Sequence, residues 1–213
     1  MIFEADALLF DSDGVLIDSL AHGEAAWTQL AGEFGLDIDV ILTELHGVRA
    51  ADTLARHVPL VHLQAAIDRL EDLEVELAPK STPIPGSIEL TASLPPASWT
   101  IVTSATRRLA VARWRAAGIT LPDITITAED VERGKPDPEP YARGATALGT
   151  DAQRCIVFED APSGGRAGGE AGARVVAIGN DEWDVEPIAR VPDLRAVRVL
   201  GTEPRLTIEV GAG

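Results

Sequence analysis

The chain has 213 residues, 46% of them hydrophobic, which suits one large domain or a core carrying a smaller insertion. Asp and Glu number 34 against 18 for Lys and Arg, and the formal charge of -16 excludes non-specific attraction to nucleic acid or to an anionic membrane. The single Cys155 excludes an internal disulfide, and with no secretory leader or long apolar span in view a cytoplasmic protein is expected.

Ala7 to Phe10 is a short uninterrupted apolar run, as expected of a strand buried on both faces of a parallel sheet. It delivers Asp11 and Asp13 at its C-terminal end, where open α/β sheets keep their ligands, and Gly14 then permits a sharp turn or a close approach to an anion. Four helical patterns follow without a strand among them. Ser19 stands as an N-cap before Leu20, Trp27, Leu30, Ala31 and Phe34, and Gly35 supplies the stop. Further helices fit Val40 to Leu45, Ala50 to Val58 and Val61 to Ala78, before Pro79, Pro83 and Pro85-Gly86 break the pattern. Four helices exceed a simple crossover. Residues 19–82 are therefore expected to form an inserted helical domain, with residues 1–18 and 83–213 forming the core.

The remainder alternates. Helices are predicted at Ser87–Leu94, Ala105–Ala117, Pro138–Leu148 and Pro162–Ala171, and strands at Trp99–Thr103, Ile124–Thr127, Cys155–Phe158 and Arg174–Ile178. This order predicts an α/β fold with a doubly wound, Rossmann-like parallel sheet. Ala196–Leu200 and Leu206–Val210 are expected as edge strands, and the glycines of residues 164–172 as sites of close helix packing.

Three later stretches converge on the first. Thr103-Ser104-Ala105 ends a strand with hydroxyls where a helix begins, a place for an anion as well as for an ordinary cap. Gly134-Lys135-Pro136 fixes one of only two lysines in a stiff loop, and Glu159-Asp160 ends another buried strand. Asp11, Asp13, Glu159 and Asp160 would thus share one sheet end, where two like charges about 4 Å apart repel by roughly 4 kcal/mol at an effective dielectric near 20. They require a cation, and hard oxygen donors without Cys or His point to Mg²⁺. A carboxylate nucleophile, a divalent ion, a lysine and a hydroxyl are the parts phosphoryl transfer uses.

At this point the sequence resembles the haloacid dehalogenase superfamily, in its branch with a helical cap. The residues that carry the likeness run from Asp11-Ser12-Asp13-Gly14 and Asp18-Ser19-Leu20 through Pro85-Gly86, Val102-Thr103-Ser104, Thr127-Ala128-Glu129 and Arg133-Gly134-Lys135-Pro136 to Glu159-Asp160-Ala161-Pro162-Ser163-Gly164. Within the branch it is similar to small sugar and polyol phosphatases and to β-phosphoglucomutases. The resemblance implies that Asp11 forms an aspartyl phosphate, that Asp13 serves as general acid and base, and that Ser104, Lys135, Gly14 and Ala105 surround the phosphoryl group, with Thr103 an alternative to Ser104. It further implies that Asp11, the Asp13 main chain and Asp160 hold Mg²⁺, with Glu159 directly or one step behind. The expected partner is a small phosphorylated metabolite, with no nucleic acid or membrane, for a monomer or small homo-oligomer.

Within the insertion, His22, His46 and Arg49 are placed near helix ends to meet sugar hydroxyls or a second anionic group, although a solvated position suits each as well. In β-phosphoglucomutases the cap arginine follows Gly-Val-x. Here Gly47-Val48-Arg49 carries it one place early, which favours water over a sugar phosphate as acceptor. The alternatives are a phosphomutase, or a phosphatase of phosphoglycolate or glycerol phosphate.

Overall fold

The computed structural model describes residues 1–180, 183 and 185–211. Its elements in chain order are β1 (Ile2–Ala5), β2 (Ala7–Phe10), β3 (Ile17–Asp18), α1 (Leu20–Phe34), α2 (Ile38–Leu42), α3 (Ala50–His57) and α4 (Leu60–Leu77). Then come β4 (Thr82–Pro83), α5 (Ser87–Ala92), β5 (Trp99–Val102), α6 (Arg107–Ala117), β6 (Thr125–Ile126), α7 (Glu139–Ala147), β7 (Cys155–Glu159), α8 (Pro162–Glu170), β8 (Arg174–Ile178), β9 (Ala189–Val191), β10 (Val197–Gly201) and β11 (Leu206–Val210).

Six strands make one sheet in the order β6-β5-β2-β7-β8-β9, and every neighbouring pair is parallel. The chain winds outward from β2 to β6, then returns to the other side of β2 for β7. That reversal is the switch point at which doubly wound sheets bind ligands.

The pleat explains why β2 lacks polar residues. Leu8 and Phe10 join one apolar cluster with Ile101, Trp114, Phe158 and Ile178, while Ala7 and Leu9 join another with Val102, Tyr141, Val157 and Ala167. Cys155 is buried in the second cluster, as expected. Glycines in α8 bring that helix close to the sheet: a Cβ at Gly168 would stand 3.1 Å from Val175 and 3.2 Å from Val157.

Helices α1 to α4 bury a cluster of their own, including Trp27, Leu30, Ile41, Leu54, Leu70 and Leu73. The insertion leaves and rejoins the core through β3 and β4, which pair antiparallel. A 3-10 turn at Ala78–Lys80 precedes β4 and carries the exposed Lys80.

The last two strands depart from expectation. β10 and β11 do not extend the parallel sheet but form a separate antiparallel one with β1, in the order β1-β11-β10. The reason is legible in β11, where buried Leu206, Ile208 and Val210 alternate with half-buried Thr207 and Glu209, the pattern of a strand covered on one face only. Short β1 and β9 gave no periodic signal of their own. Helix ends also shift: α2 begins at Ile38 because the Asp37 carboxylate accepts from Val40 N, and α6 begins at Arg107 because Thr106 Oγ1 accepts from Leu109 N. Among the described residues no helix is long and apolar enough to cross a membrane.

Candidate active site

Asp11 follows β2, Thr103 and Ser104 follow β5, and Glu159 and Asp160 close β7, so three adjacent strands deliver their polar ends to one side of the sheet. A cavity between this edge and the insertion is lined by Asp11, Asp13, Ser104, Ala105 and Asp160 from the core and by Trp27, His46 and Glu74 from the insertion.

Lys135 reaches in from the loop before α7 and is almost wholly buried. Its Nζ donates to Asp11 Oδ1 at 2.5 Å, Glu159 Oε1 at 2.7 Å and Val102 O at 3.0 Å, which commits all three protons. The ammonium also sits 4.8 Å from the Tyr141 ring centre. Burial pulls its pKa down, but the Asp11 and Glu159 carboxylates outweigh burial and hold it above the ordinary lysine value.

Glu159 has full occupancy of its acceptor sites. Oε1 accepts from Lys135 and from Tyr141 Oη at 2.8 Å, and Oε2 accepts from the main-chain N–H groups of Asp160 and Ala161 at 3.0 and 3.1 Å. It therefore stands behind Lys135 and the start of α8, leaving Asp160 as the β7 carboxylate that lines the cavity.

Asp13 is held by a group of residues that sequence reasoning missed. Its Oδ1 accepts from Ser19 Oγ and, at 3.0 Å, from Arg113 Nη1, while Arg113 Nη2 donates to Glu74 Oε1 at 3.0 Å. Ser19 occupies the N-cap position of α1 but makes no side-chain cap bond, because its hydroxyl is turned to Asp13. Arg113 lies in α6 of the core and Glu74 in α4 of the insertion. Burial raises the Glu74 pKa, against the opposing pull of Arg113.

The remaining expected residues divide. Ser104 Oγ donates to Gly47 O at 2.8 Å, so Ser104 is turned toward the insertion, while Thr103 Oγ1 accepts from Ala105 N at 3.1 Å, and both residues line the cavity. His46 lines the cavity beside Glu24, 3.6 Å away. Arg49 does not line it: the guanidinium pairs with Asp52 at 2.7 Å and donates to the carbonyls of Val131 and Glu132, over Gly134, where a Cβ would fall 2.6 Å from Arg49 Nε. His22 is also outside the cavity, with a buried Nδ1 that has no partner. Arg49 thus reaches across to the core loop before α7, and neither it nor His22 lines the cavity. Gly14 adopts φ +83°, and a Cβ there would meet Asp160 Oδ2 at 2.0 Å, so only glycine lets that carboxylate lie on the Asp13-Gly14 turn.

The donor set fits a hard divalent cation. Carboxylate oxygens of Asp11, Glu159 and Asp160 lie within 4.8 Å of one another. Burial first, then the neighbouring Glu159 and Asp13, push Asp11 up to about 8 despite Lys135, and burial with Glu159 and Asp11 raises Asp160 well above the carboxylate range. Such uncompensated negative charge is what Mg²⁺ relieves, and Asp11 and Asp160 are the carboxylates open to receive it.

Comparison with known proteins agrees with this geometry. Residues 5–172 match the family model for haloacid dehalogenase-like hydrolases. The chain is 41% identical over 176 residues to hexitol phosphatase A of Escherichia coli, covering 80% of this chain and 81% of that protein. It is 34% identical to glycerol-1-phosphate phosphohydrolase 2 of Saccharomyces cerevisiae, over 82% of this chain and 75% of the relative. The fold superposes on β-phosphoglucomutase of Clostridium difficile with a TM-score of 0.77 at 23% identity, covering 89% and 92% of the two chains. With the carboxylates, lysine and hydroxyl of the sheet edge in place and more than two thirds of the chain matched, the protein belongs to the haloacid dehalogenase-like hydrolases.

Proposed function

We propose that this hydrolase is a Mg²⁺-dependent phosphatase of a small sugar or polyol phosphate, working through an aspartyl phosphate on Asp11. The observation that carries the reading is Asp11 itself: a cavity-lining carboxylate bonded to Lys135 at 2.5 Å, with Asp13 two residues on. Phosphate monoesters are the class its relatives act on, hexitol phosphatase A among them.

Asp11 attacks phosphorus and Asp13 gives a proton to the leaving sugar oxygen, then takes one from the water that hydrolyses the intermediate. Lys135, its three protons already committed, restrains Asp11 and sets a positive charge beside it, and Ser104 donates to a phosphoryl oxygen. Asp11, Asp160 and the Asp13 carbonyl would hold Mg²⁺, whose charge offsets that of the phosphoryl oxygens. Arg49, engaged with Asp52 and main-chain carbonyls, is unavailable for a second phosphate, which supports water as the acceptor over a mutase reaction.

The test is phosphate release from a panel of sugar, polyol and short-chain phosphates with Mg²⁺ or EDTA, for the native protein and Asp11→Asn. Magnesium-dependent release that the substitution abolishes is expected. Isomerisation of β-glucose 1-phosphate without release would return the mutase reading.

A further inference from the structure

Arg113 is a core residue bonded at once to Asp13 and to the helical insertion. Arg113 is 6% exposed, and its guanidinium spans two carboxylates, Asp13 at 3.0 Å and Glu74 at 3.0 Å, which come from opposite sides of the cavity. The neighbouring residue works on the same turn: Trp114 Nε1 donates to Ser12 Oγ at 2.9 Å. Two consecutive residues of α6 thus hold the side chains of the Ser12-Asp13 turn. The backbone of α1 closes the third side, since a Cβ at Gly23 would stand 3.7 Å from Arg113 Nη2 and 3.8 Å from Glu74 Oε1.

The start of α6 meets α4 as well. Thr106 Oγ1 donates to Glu71 at 2.5 Å, and Arg108 Nη1 donates to Glu71 at 3.0 Å and Asp72 at 2.8 Å. The Arg108 ion pairs are exposed and screened by solvent. The Arg113 pair alone is buried, so it responds most to whether α4 is seated. With α4 lifted away, Nη2 loses its carboxylate and the guanidinium gains freedom to turn from Asp13.

We propose that Arg113 is a positioning residue that, through Glu74, keeps the Asp13 side chain in place only while the insertion is seated on the core. The proposal rests on the role given to Asp13 above. The arrangement lets proton transfer proceed when the cavity is covered and disables it when the cavity is open.

The experiment uses the Mg²⁺-loaded full chain and two substrates, a polyol phosphate and p-nitrophenyl phosphate. Nitrophenolate departs without a proton, so only its second step, hydrolysis of the aspartyl phosphate, needs Asp13. Arg113→Met should lower kcat on the polyol phosphate by about a hundredfold with KM within about threefold. On p-nitrophenyl phosphate it should give a first-turnover burst of nitrophenol followed by slow release. Glu74→Leu should show the same signature at about tenfold, and Arg113→Lys should recover part of the loss. If burst and steady state fall together, or if KM rises with kcat unchanged, Arg113 serves the fold or binds substrate and the proposal is overturned. If Arg113→Met does not fold, Glu74→Leu decides, and an unchanged kcat there overturns the coupling. Asp13→Asn is the control. Full activity in that variant defeats the assignment of Asp13, whereas its loss beside an unaffected Arg113→Met defeats the present proposal alone.

Discussion

Ser104 and Gly47 are bonded across the cavity, the serine hydroxyl donating to the glycine carbonyl at 2.8 Å. A bound phosphoryl group competes for that hydroxyl, and a hydrogen bond to a charged oxygen outweighs one to a neutral carbonyl. Ser104→Ala should weaken inhibition by inorganic phosphate about tenfold, or about 1.4 kcal/mol. An unchanged inhibition constant would remove Ser104 from the phosphoryl site.

Metal binding and proton transfer should separate by mutation. Asp160→Ala removes a carboxylate open to the cation and should reduce Mg²⁺ affinity by at least tenfold, measured by titration calorimetry. Asp13→Asn keeps the main-chain carbonyl and should leave that affinity within about threefold while stalling turnover. Comparable losses of affinity in both variants would refute the division of roles.

The raised carboxylates have a consequence for stability. Asp11 is pushed up to about 8, and Asp160 well above its ordinary 3.8, so between these values the folded state holds protons the unfolded chain has released. The stabilisation is fully present below 3.8 and is lost as pH rises through about 8. In EDTA the melting temperature should therefore fall from pH 5 to pH 9. Added Mg²⁺ should raise it more at pH 8 than at pH 5, where protons compete for the same oxygens. Equal shifts at the two pH values would contradict the charge balance described here.

Gly164 faces Glu159 with no room for a side chain. A Cβ there would fall 1.6 Å from Glu159 Oε1, the oxygen that accepts from Lys135 and Tyr141. Gly164→Ala should cost about 2–3 kcal/mol of stability, seen in urea unfolding, and reduce activity by displacing that carboxylate. Gly32→Ala is the contrasting case, since nothing lies within 4 Å of a Cβ at that position and the melting point should not fall.

Cys155 lies buried in the sheet core, and burial pushes its thiol up to about 12. Thiolate is the reactive form, so a disulfide reagent at pH 8 should leave the native protein unmodified and react stoichiometrically once the chain is unfolded. Rapid labelling of the folded protein would show that the strand opens locally.

The central strands were legible in sequence because burial on both faces demands continuous apolar runs, as in Ala7–Phe10 and Cys155–Phe158. Asp11 and Asp160 were legible because several such runs end in polar residues on one side of the sheet, and Lys135 because it is one of two lysines and sits in a stiff Gly-Lys-Pro loop. Arg113 was not, since Arg107, Arg108 and Arg115 share its helix and nothing in spacing marks which arginine is buried. Glu74 was hidden in the same way among Glu71, Asp72 and Glu76, and its partner lies 39 residues away. Ser19 was read as a cap because the side-chain bond that redirects it belongs to the turn at Asp13. The positions of Arg49 and His22 outside the cavity were not legible, because a polar residue near a helix end has several directions in which to point and sequence does not choose among them.

The commitment of every proton of Lys135 leaves the chain with one lysine that solvent reaches. Lys80 is exposed on the turn beside β4, at the junction through which the insertion rejoins the core. Among lysines, an amine-directed fluorophore therefore reaches Lys80, with Lys135 shielded inside the fold. A dye at that position reports on the junction as substrate enters, without any engineered cysteine and without touching the groups that carry the chemistry.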